Sequence, residues 1–255
     1  MSDATLAPGV PADYYARIAE VEDRHWWYVG MRRITESLLG ERLRQPGARL
    51  LDAGCGTGGF LRWLLDRGAF ASAAGVDIGA AAIELARARV PEADLRVGPL
   101  RGLPFDGGSF ELAVMNDVLQ HVPEKDVAAS LAELRRVLAP GATLLVRTNG
   151  ARRLRRERDD WRAYDRVTLR DELARAGFEC ERVTYANALL SLVAGLSGRT
   201  PHAPSESHHG IVAPAAGGLK STAGGRVLAA EARWLARPRR ALPFGHTLFA
   251  VATVR

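Results

Sequence analysis

Two cysteines, no long apolar run and no internal repeat set the first limits on this 255-residue chain. Cys55 and Cys180 lie far apart and outside any CxxC or Cys/His ligand spacing, which excludes a disulfide framework and a structural zinc site. Cys55 also lacks the partnered His and Asn of a thiol nucleophile, so its side chain reads as a small buried filler. No apolar stretch approaches the roughly 20 residues that cross a bilayer. The opening residues, MSDATLAPGV, carry neither the basic patch nor the apolar stretch of a signal peptide, so a cytoplasmic location is expected. His202, His208 and His209 stand in a Pro- and Ser-bearing stretch without a ligand pattern, and no metal is expected.

What is present is apolar residue in quantity: 47% of the chain, enough for one sizeable core. The net charge of +6 is unevenly placed. Residues 1–150 carry 17 basic and 19 acidic side chains, residues 151–255 carry 18 and 10. A basic second half suits an anionic partner, although solubility alone also accounts for it.

From residue 49 to about 185, short apolar runs alternate with helical patterns. RLLDAG, SAAGVD, DLRVG, FELAVMND, ATLLVRT, FECERVTY and HTLFAVATV read as strands. FLRWLLDRG, AAAIELARARV, VAASLAELRRVLAPG and TLRDELARAGF read as helices, the third stopped at Pro140 and Gly141. That alternation predicts an α/β fold, a doubly wound and mostly parallel sheet covered on both faces. Residues 1–47 form a helical segment expected to act as a lid, ahead of a core over 48–255. Within that core, residues from about 186 to 243 form an unusually long connection read as a mobile insertion.

Gly54, Gly56, Gly58 and Gly59 put four glycines into six positions directly after the first strand. Glycine inside regular structure costs roughly 0.5–1 kcal/mol relative to alanine, so a compensating use is expected. Ligands of doubly wound sheets bind beyond the carboxyl ends of the strands, where such a loop lets main chain approach without side chains in the way. Asp77 ends the second strand 25 residues after Asp52, where a carboxylate accepts both hydroxyls of a ribose. Gly54, Gly56 and Gly59 also satisfy the dinucleotide pattern GxGxxG. Asp52 ahead of the loop and LPFDGGSFELAVMNDVLQHV after it favour a single nucleoside instead.

With LLDAGCGTG, GVDIG, LPFDGGSFELAVMNDVLQHV and ELRRVLAPGATLLV, residues 48–148 resemble the class I S-adenosylmethionine-dependent methyltransferases, small-molecule type. DRHWWYVGMRRI, TLRDELARAGFECERVTYANALL and ALPFGHTLFAVA look like a bacterial subgroup of that family. The resemblance implies a Rossmann-like, seven-stranded sheet with an antiparallel last strand, and S-adenosylmethionine as cofactor. Gly54, Cys55 and Gly56 would pass under its methionine part, with Asp52 organising the loop. Asp77 would hold the ribose, beside Ile78, and Asn116, Asp117 and Leu119 would line the methionine end. Relatives commonly carry Asp before LPF, whereas this chain has GPLRGLPF. Pro99 offers no amide donor, so adenine recognition would lean on the Leu100 amide and apolar contacts.

A sulfonium is already an activated methyl donor, so alignment and exclusion of water do much of the work. A base matters only where the acceptor must lose a proton, and His121 is the candidate in the cofactor half; a packing histidine is its plainer reading. Trp26, Trp27 and Tyr28 form the densest aromatic cluster, to be divided between packing and a pocket wall. Trp161, Tyr164 and Arg166 follow the fifth strand, where acceptors enter this fold. RRLRRERDDWR is either a solvated helix face or an anion clamp. Three functions follow: methyl transfer to O, N or C of a small biosynthetic acceptor; RNA or protein methylation; and a cofactor-holding protein that catalyses a rearrangement or does not methylate. An NPPY-style signature is missing at Asn116 and aromatics scarcely interleave the basic run, so nucleic acid is not expected as a partner.

Overall fold

Strands that are apolar on both faces must be sheltered on both faces, and the helices do this in two layers. A computed structural model describes residues 14–150, 162–196 and 219–255. Its strands are β1 (Arg49–Ala53), β2 (Ser72–Asp77), β3 (Asp94–Val97), β4 (Phe110–Asn116), β5 (Leu138–Asn149), β6 (Phe178–Ala186) and β7 (Thr247–Val254). The helices are α1 (Tyr14–Val21), α2 (Trp26–Leu39), α3 (Gly59–Leu65), α4 (Ala80–Arg89), α5 (Glu124–Val137), α6 (Arg166–Arg175), α7 (Ala188–Leu196) and α8 (Leu219–Leu235).

One sheet runs β3-β2-β1-β4-β5-β7-β6. Neighbours from β3 to β5 are parallel, as the sequence pattern predicts, while β7 is antiparallel to both β5 and β6, as the family resemblance implies. Successive residues face opposite layers. Leu51, Ala113, Met115, Leu144 and Val146 join Leu131, Leu134, Leu169 and Leu173 of α5 and α6. Leu50, Leu112, Val114, Leu145 and Phe249 join Met31, Ile34, Leu61, Leu64, Ile83 and Leu228 of α2, α3, α4 and α8.

Local sequence sets the helix ends. Asp165 caps α6, its Oδ1 accepting from Val167 N at 3.0 Å and Thr168 N at 2.7 Å. α5 opens with Glu124 and Asp126 and closes with Arg135 and Arg136, each sign placed against the helix dipole. The expected stop of α5 at Pro140 and Gly141 is corrected: the helix ends at Val137, because Leu138 already pairs with Phe110 at the entry to β5. Gly141 makes its left-handed turn inside that entry, at φ 76°.

The stretch read as one long connection carries α7 and α8. α8 lies along α2, where Leu228 is fully buried and fills the space that a Cβ on Gly30 would need. Among the described residues, no helix is long and apolar enough to cross a membrane.

That α2–α8 contact can be measured. Gly30→Ala is expected to lower the unfolding free energy by about 1–3 kcal/mol through overpacking, and Leu228→Ala by about 2–5 kcal/mol through its cavity. The double variant loses less than the sum, because removing the Leu228 side chain vacates the space the new methyl requires. Urea unfolding of the three variants checks this, and strict additivity would contradict it.

Candidate functional site

At the carboxyl end of β1 the chain turns through Gly54, Gly56 and Gly58 at φ 90°, 52° and 78°. Their uses differ. A Cβ on Gly54 would overlap Val118, so this glycine permits close contact with the turn after β4. Nothing lies within 4 Å of a Cβ built on Gly56, which leaves its main chain facing open space. Gly58 abuts Ala86 of α4, and Gly59 makes room for Glu22 and Arg89. The expectation of one shared use for all four is therefore corrected: Gly58 and Gly59 serve packing.

Asp77 fixes this loop from β2. Its Oδ2 accepts from Gly56 N at 2.9 Å and its Oδ1 from Gly79 N at 2.8 Å. Burial raises its pKa, and the amides of Gly79, Gly56 and Ile78 oppose the shift. Asp52 is 1% exposed, and its Oδ2 is buried with no hydrogen-bond partner. Its pKa is pushed up to about 8, by burial first and then by Asp77 and Glu22, against the attraction of Arg147. Both amide atoms of Asn116, at the end of β4, are likewise buried without a partner.

Asp117 follows in a left-handed conformation at φ 56°. Its carboxylate accepts from Arg147 Nε at 3.1 Å and Nη2 at 2.7 Å, and the guanidinium carbon sits 5.3 Å from the Trp27 ring centre. Tyr14 of α1 feels both carboxylates: its pKa is pushed up to about 12 by burial, then by Asp117 and Asp77. Tyr28 is raised too, by burial first and then by Tyr14 and Asp117. The Tyr15 hydroxyl lies against Gly79. Glu22 holds this helical segment down, accepting from Thr57 of the glycine loop and from Arg89 of α4, with Arg32 at 3.9 Å.

The other sequence-selected residues divide. Trp26 is seated against Gly224 of α8 as an anchor. The Cys55 side chain turns inward against Gly75, and burial raises its thiol. Leu119 and Leu100 are buried, while Ile78 is 52% exposed beyond β2. Pro99 precedes the 3-10 turn Leu100–Gly102. His121 is exposed at the end of the turn Leu119–His121. Tyr164, read as a substrate wall, is 3% exposed within the α5–α6 core layer, where its amide donates to Asn149 O at 3.1 Å. Arg166 is exposed at the start of α6. Trp161, most of the arginine run, and the three histidines of the long connection lie outside the described residues. The sequence reading did not select Tyr14, Tyr15, Glu22 or Arg147. The only signals were the YY pair ahead of HWWY and a charged residue inside the apolar run ATLLVRT.

A glycine loop, an acidic β2 terminus and orphaned polar atoms at the switch point of a doubly wound sheet define a nucleoside-binding protein of Rossmann-like architecture. A protein-family model described as a methyltransferase domain matches residues 51–146. A probable S-adenosylmethionine-dependent methyltransferase of Mycolicibacterium smegmatis is 30% identical over 187 residues, 70% of this chain and 69% of that protein. A malonyl-[acyl-carrier protein] O-methyltransferase of Serratia marcescens is 34% identical over 134 residues, 52% of this chain and 51% of the relative. The fold is shared with a TehB-like methyltransferase from Corynebacterium glutamicum, at TM-score 0.58, 18% identity and 96% coverage of each chain. The chain belongs to the class I S-adenosylmethionine-dependent methyltransferases. It spans about half the length of several of the curated relatives it matches.

Asp52 gives a direct test of site electrostatics. Its carboxyl holds a proton in the folded chain up to about pH 8, whereas an unfolded Asp releases it near pH 4. The folded state binds the extra proton between these values, so this group makes stability fall as pH rises through that window, at up to ~1.4 kcal/mol per unit. Asp52→Asn is expected to remove this share of the slope and to unfold at higher urea than wild type at pH 8. Parallel curves for the two proteins from pH 5 to 8 would contradict it.

Proposed function

We propose that this protein transfers the methyl group of S-adenosylmethionine to an oxygen of a small-molecule acceptor, free or carried on an acyl carrier, in the cytoplasm. The observation that carries the proposal is the pairing of orphaned Asp52 and Asn116 atoms with the open main chain of Gly56, all at one sheet edge. Relatives named as malonyl-[acyl-carrier protein] and ubiquinone biosynthesis O-methyltransferases support oxygen as the methylated atom.

Bound at this edge, S-adenosylmethionine supplies a methyl group already activated by its sulfonium. Gly54, Cys55 and Gly56 offer main chain to its methionine part, where Asp52 and Asn116 complete their hydrogen bonds. An ammonium beside Asp52 favours the ionised carboxylate and relieves the cost of leaving it buried alone. Asp77 retains acceptor capacity for a ribose hydroxyl, since a carboxylate has about four lone-pair sites and the amides of Gly56, Gly79 and Ile78 take three. Ile78 and the Leu100 amide serve the adenine. Tyr14, Trp27 and Tyr28 cover the edge and exclude water, which raises the value of every charge inside. Arg147, stacked on Trp27, gives an anionic acceptor a cationic wall.

Calorimetry with S-adenosylmethionine and S-adenosylhomocysteine, followed by mass spectrometry of hydroxylated acceptors incubated with labelled cofactor, tests the proposal. A gain of one methyl group is expected, and no affinity for either nucleoside would overturn it. Asp77→Asn is expected to weaken nucleoside binding about 10- to 100-fold, the loss of a charge-assisted hydrogen-bond pair, with the unfolding curve still cooperative.

A further inference from the structure

The corner where α7, α8 and β6 meet carries a surface that takes no part in the site described above. α7 follows β6 directly, and all of its residues but Ser191 are apolar or glycine. Its inner face is accounted for: Ala188 and Ser191 are buried, the Ser191 hydroxyl donates to the Asn187 carbonyl, and Leu190 packs on the core layer of α2 and α8. Glu231 of α8 fixes the helix there, accepting from the amides of Asn187 at 2.6 Å, Ala188 at 2.8 Å and Leu189 at 3.3 Å. With that face turned inward, Leu189, Leu192 and Val193 form a stripe on the outer side, spaced i, i+3 and i+4 and each about half exposed. A surface helix ordinarily carries polar residues there, so this one leaves apolar area in water.

Arginines and aromatic rings border the stripe. Trp234 lies one turn beyond Glu231 on α8 and is exposed, with the Arg240 guanidinium carbon 4.3 Å from its ring centre. Phe244 is exposed as well, and the neighbouring Gly245 packs so closely on the Ala186 carbonyl, two residues before α7, that a Cβ would overlap it. Between the two rings the chain runs along β6, where Leu242 N donates to Thr184 Oγ1 at 2.9 Å and the Arg240 carbonyl accepts from Arg182. This strap presents Arg237, Arg239 and Arg240, all exposed. No acidic residue occurs from 232 to 255. Arg42 and Arg255 pair with Glu181 and Glu179 of β6, whereas none of the three strap guanidinium groups enters an ion pair among the described residues.

We propose that this corner docks on an anionic lipid bilayer, the stripe and the two rings entering the interface and Arg237, Arg239 and Arg240 meeting headgroup phosphates. Apolar side chains that enter the headgroup boundary leave water, and tryptophan suits that boundary because its apolar ring carries a polar N–H. Arginines without a countercharge are drawn to the negative surface. RNA would suit the arginines and the rings, but leucine and valine offer a base neither a stacking plane nor a hydrogen bond. A second copy of the chain, meeting this corner about a two-fold axis, would bring the same unpaired arginines together. The inference goes beyond methyl transfer and does not depend on it.

The test floats the full chain with vesicles of phosphatidylcholine alone, or of an equal mixture with phosphatidylglycerol. Binding is expected to the mixed vesicles only, and to weaken at about 1 M salt, where charges are screened within about 3 Å. Arg237→Gln with Arg239→Gln is expected to lower the partition coefficient about 25-fold, at about fivefold per charge. Arg170→Gln with Arg175→Gln, on α6, removes as much charge from another part of the surface and is expected to change it little. Leu192→Ser with Val193→Ser lowers it about 10-fold or more through lost apolar burial. Brominated lipid quenches part of the tryptophan fluorescence, and Trp234→Phe removes that quenching. Cooperative urea unfolding, unchanged from wild type, is the control for each variant. No binding to the mixed vesicles, equal binding to both kinds, or equal losses from the two arginine pairs overturns the proposal. A dimer in sedimentation velocity that Leu192→Ser with Val193→Ser dissociates also overturns it, and gives the stripe to a second copy.

Discussion

One carboxylate ties the candidate site together: Asp77 takes the Gly56 amide on one oxygen and the Gly79 amide on the other. Those amides belong to the loops after β1 and β2, which would otherwise meet only through main-chain bonds such as Gly54 N to Val76 O, at 2.7 Å. Fixing both loops sets the left-handed path through Gly54 and Gly56, the entry to α4, and hence the surface on which Gly58 rests against Ala86.

Arginines then sort the acidic groups. Glu22 is answered by Arg89 and Arg32, and Asp117 by Arg147. Asp52 and Asp77 have no arginine bonded to them among the described residues. A buried carboxylate without a countercharge is costly and moves its pKa upward, as both do. Paired acids therefore act as fastenings, Glu22 for the N-terminal helices and Asp117 for the end of β5. The unpaired ones are held toward their protonated form, and a cation placed beside them favours their ionised form.

How much of this was legible in the sequence follows from the range of each interaction. β2 was readable to the residue because SAAGVD is a short apolar run ended by a charge, and the tight glycine turn after β1 because its glycines are neighbours in the chain. The end of α5 was misplaced because Leu138 is claimed by a strand partner at Phe110. Tyr164 fits a pocket wall in sequence, yet a bridge to Gly150 draws it into the core. Tyr14 meets Asp77 and Asp117 only through folding, and Gly59 is needed for Glu22, a residue 37 positions earlier. Ser191 and His246, 55 residues apart, likewise left no local trace. Pattern reading finds groups that share a loop or a face, whereas groups that meet across layers become visible only in three dimensions.

The insertion between β6 and β7 gains its importance from α8. On one side α8 packs on α2 through Leu228 at Gly30 and through Gly224 under Trp26, and α2 carries Trp27, whose ring centre lies 5.3 Å from the Arg147 guanidinium. On the other side its Glu231 holds the first turn of α7 by three amides, Asn187, Ala188 and Leu189, and so sets the distance from Ser191 to His246. α2 and the first turn of α7 are thus both fastened to one helix, while the glycine loop is fastened by Asp77 from β2. A change in α8 would therefore act on α2 and α7 together and leave the Asp77 bonds to the two loops in place.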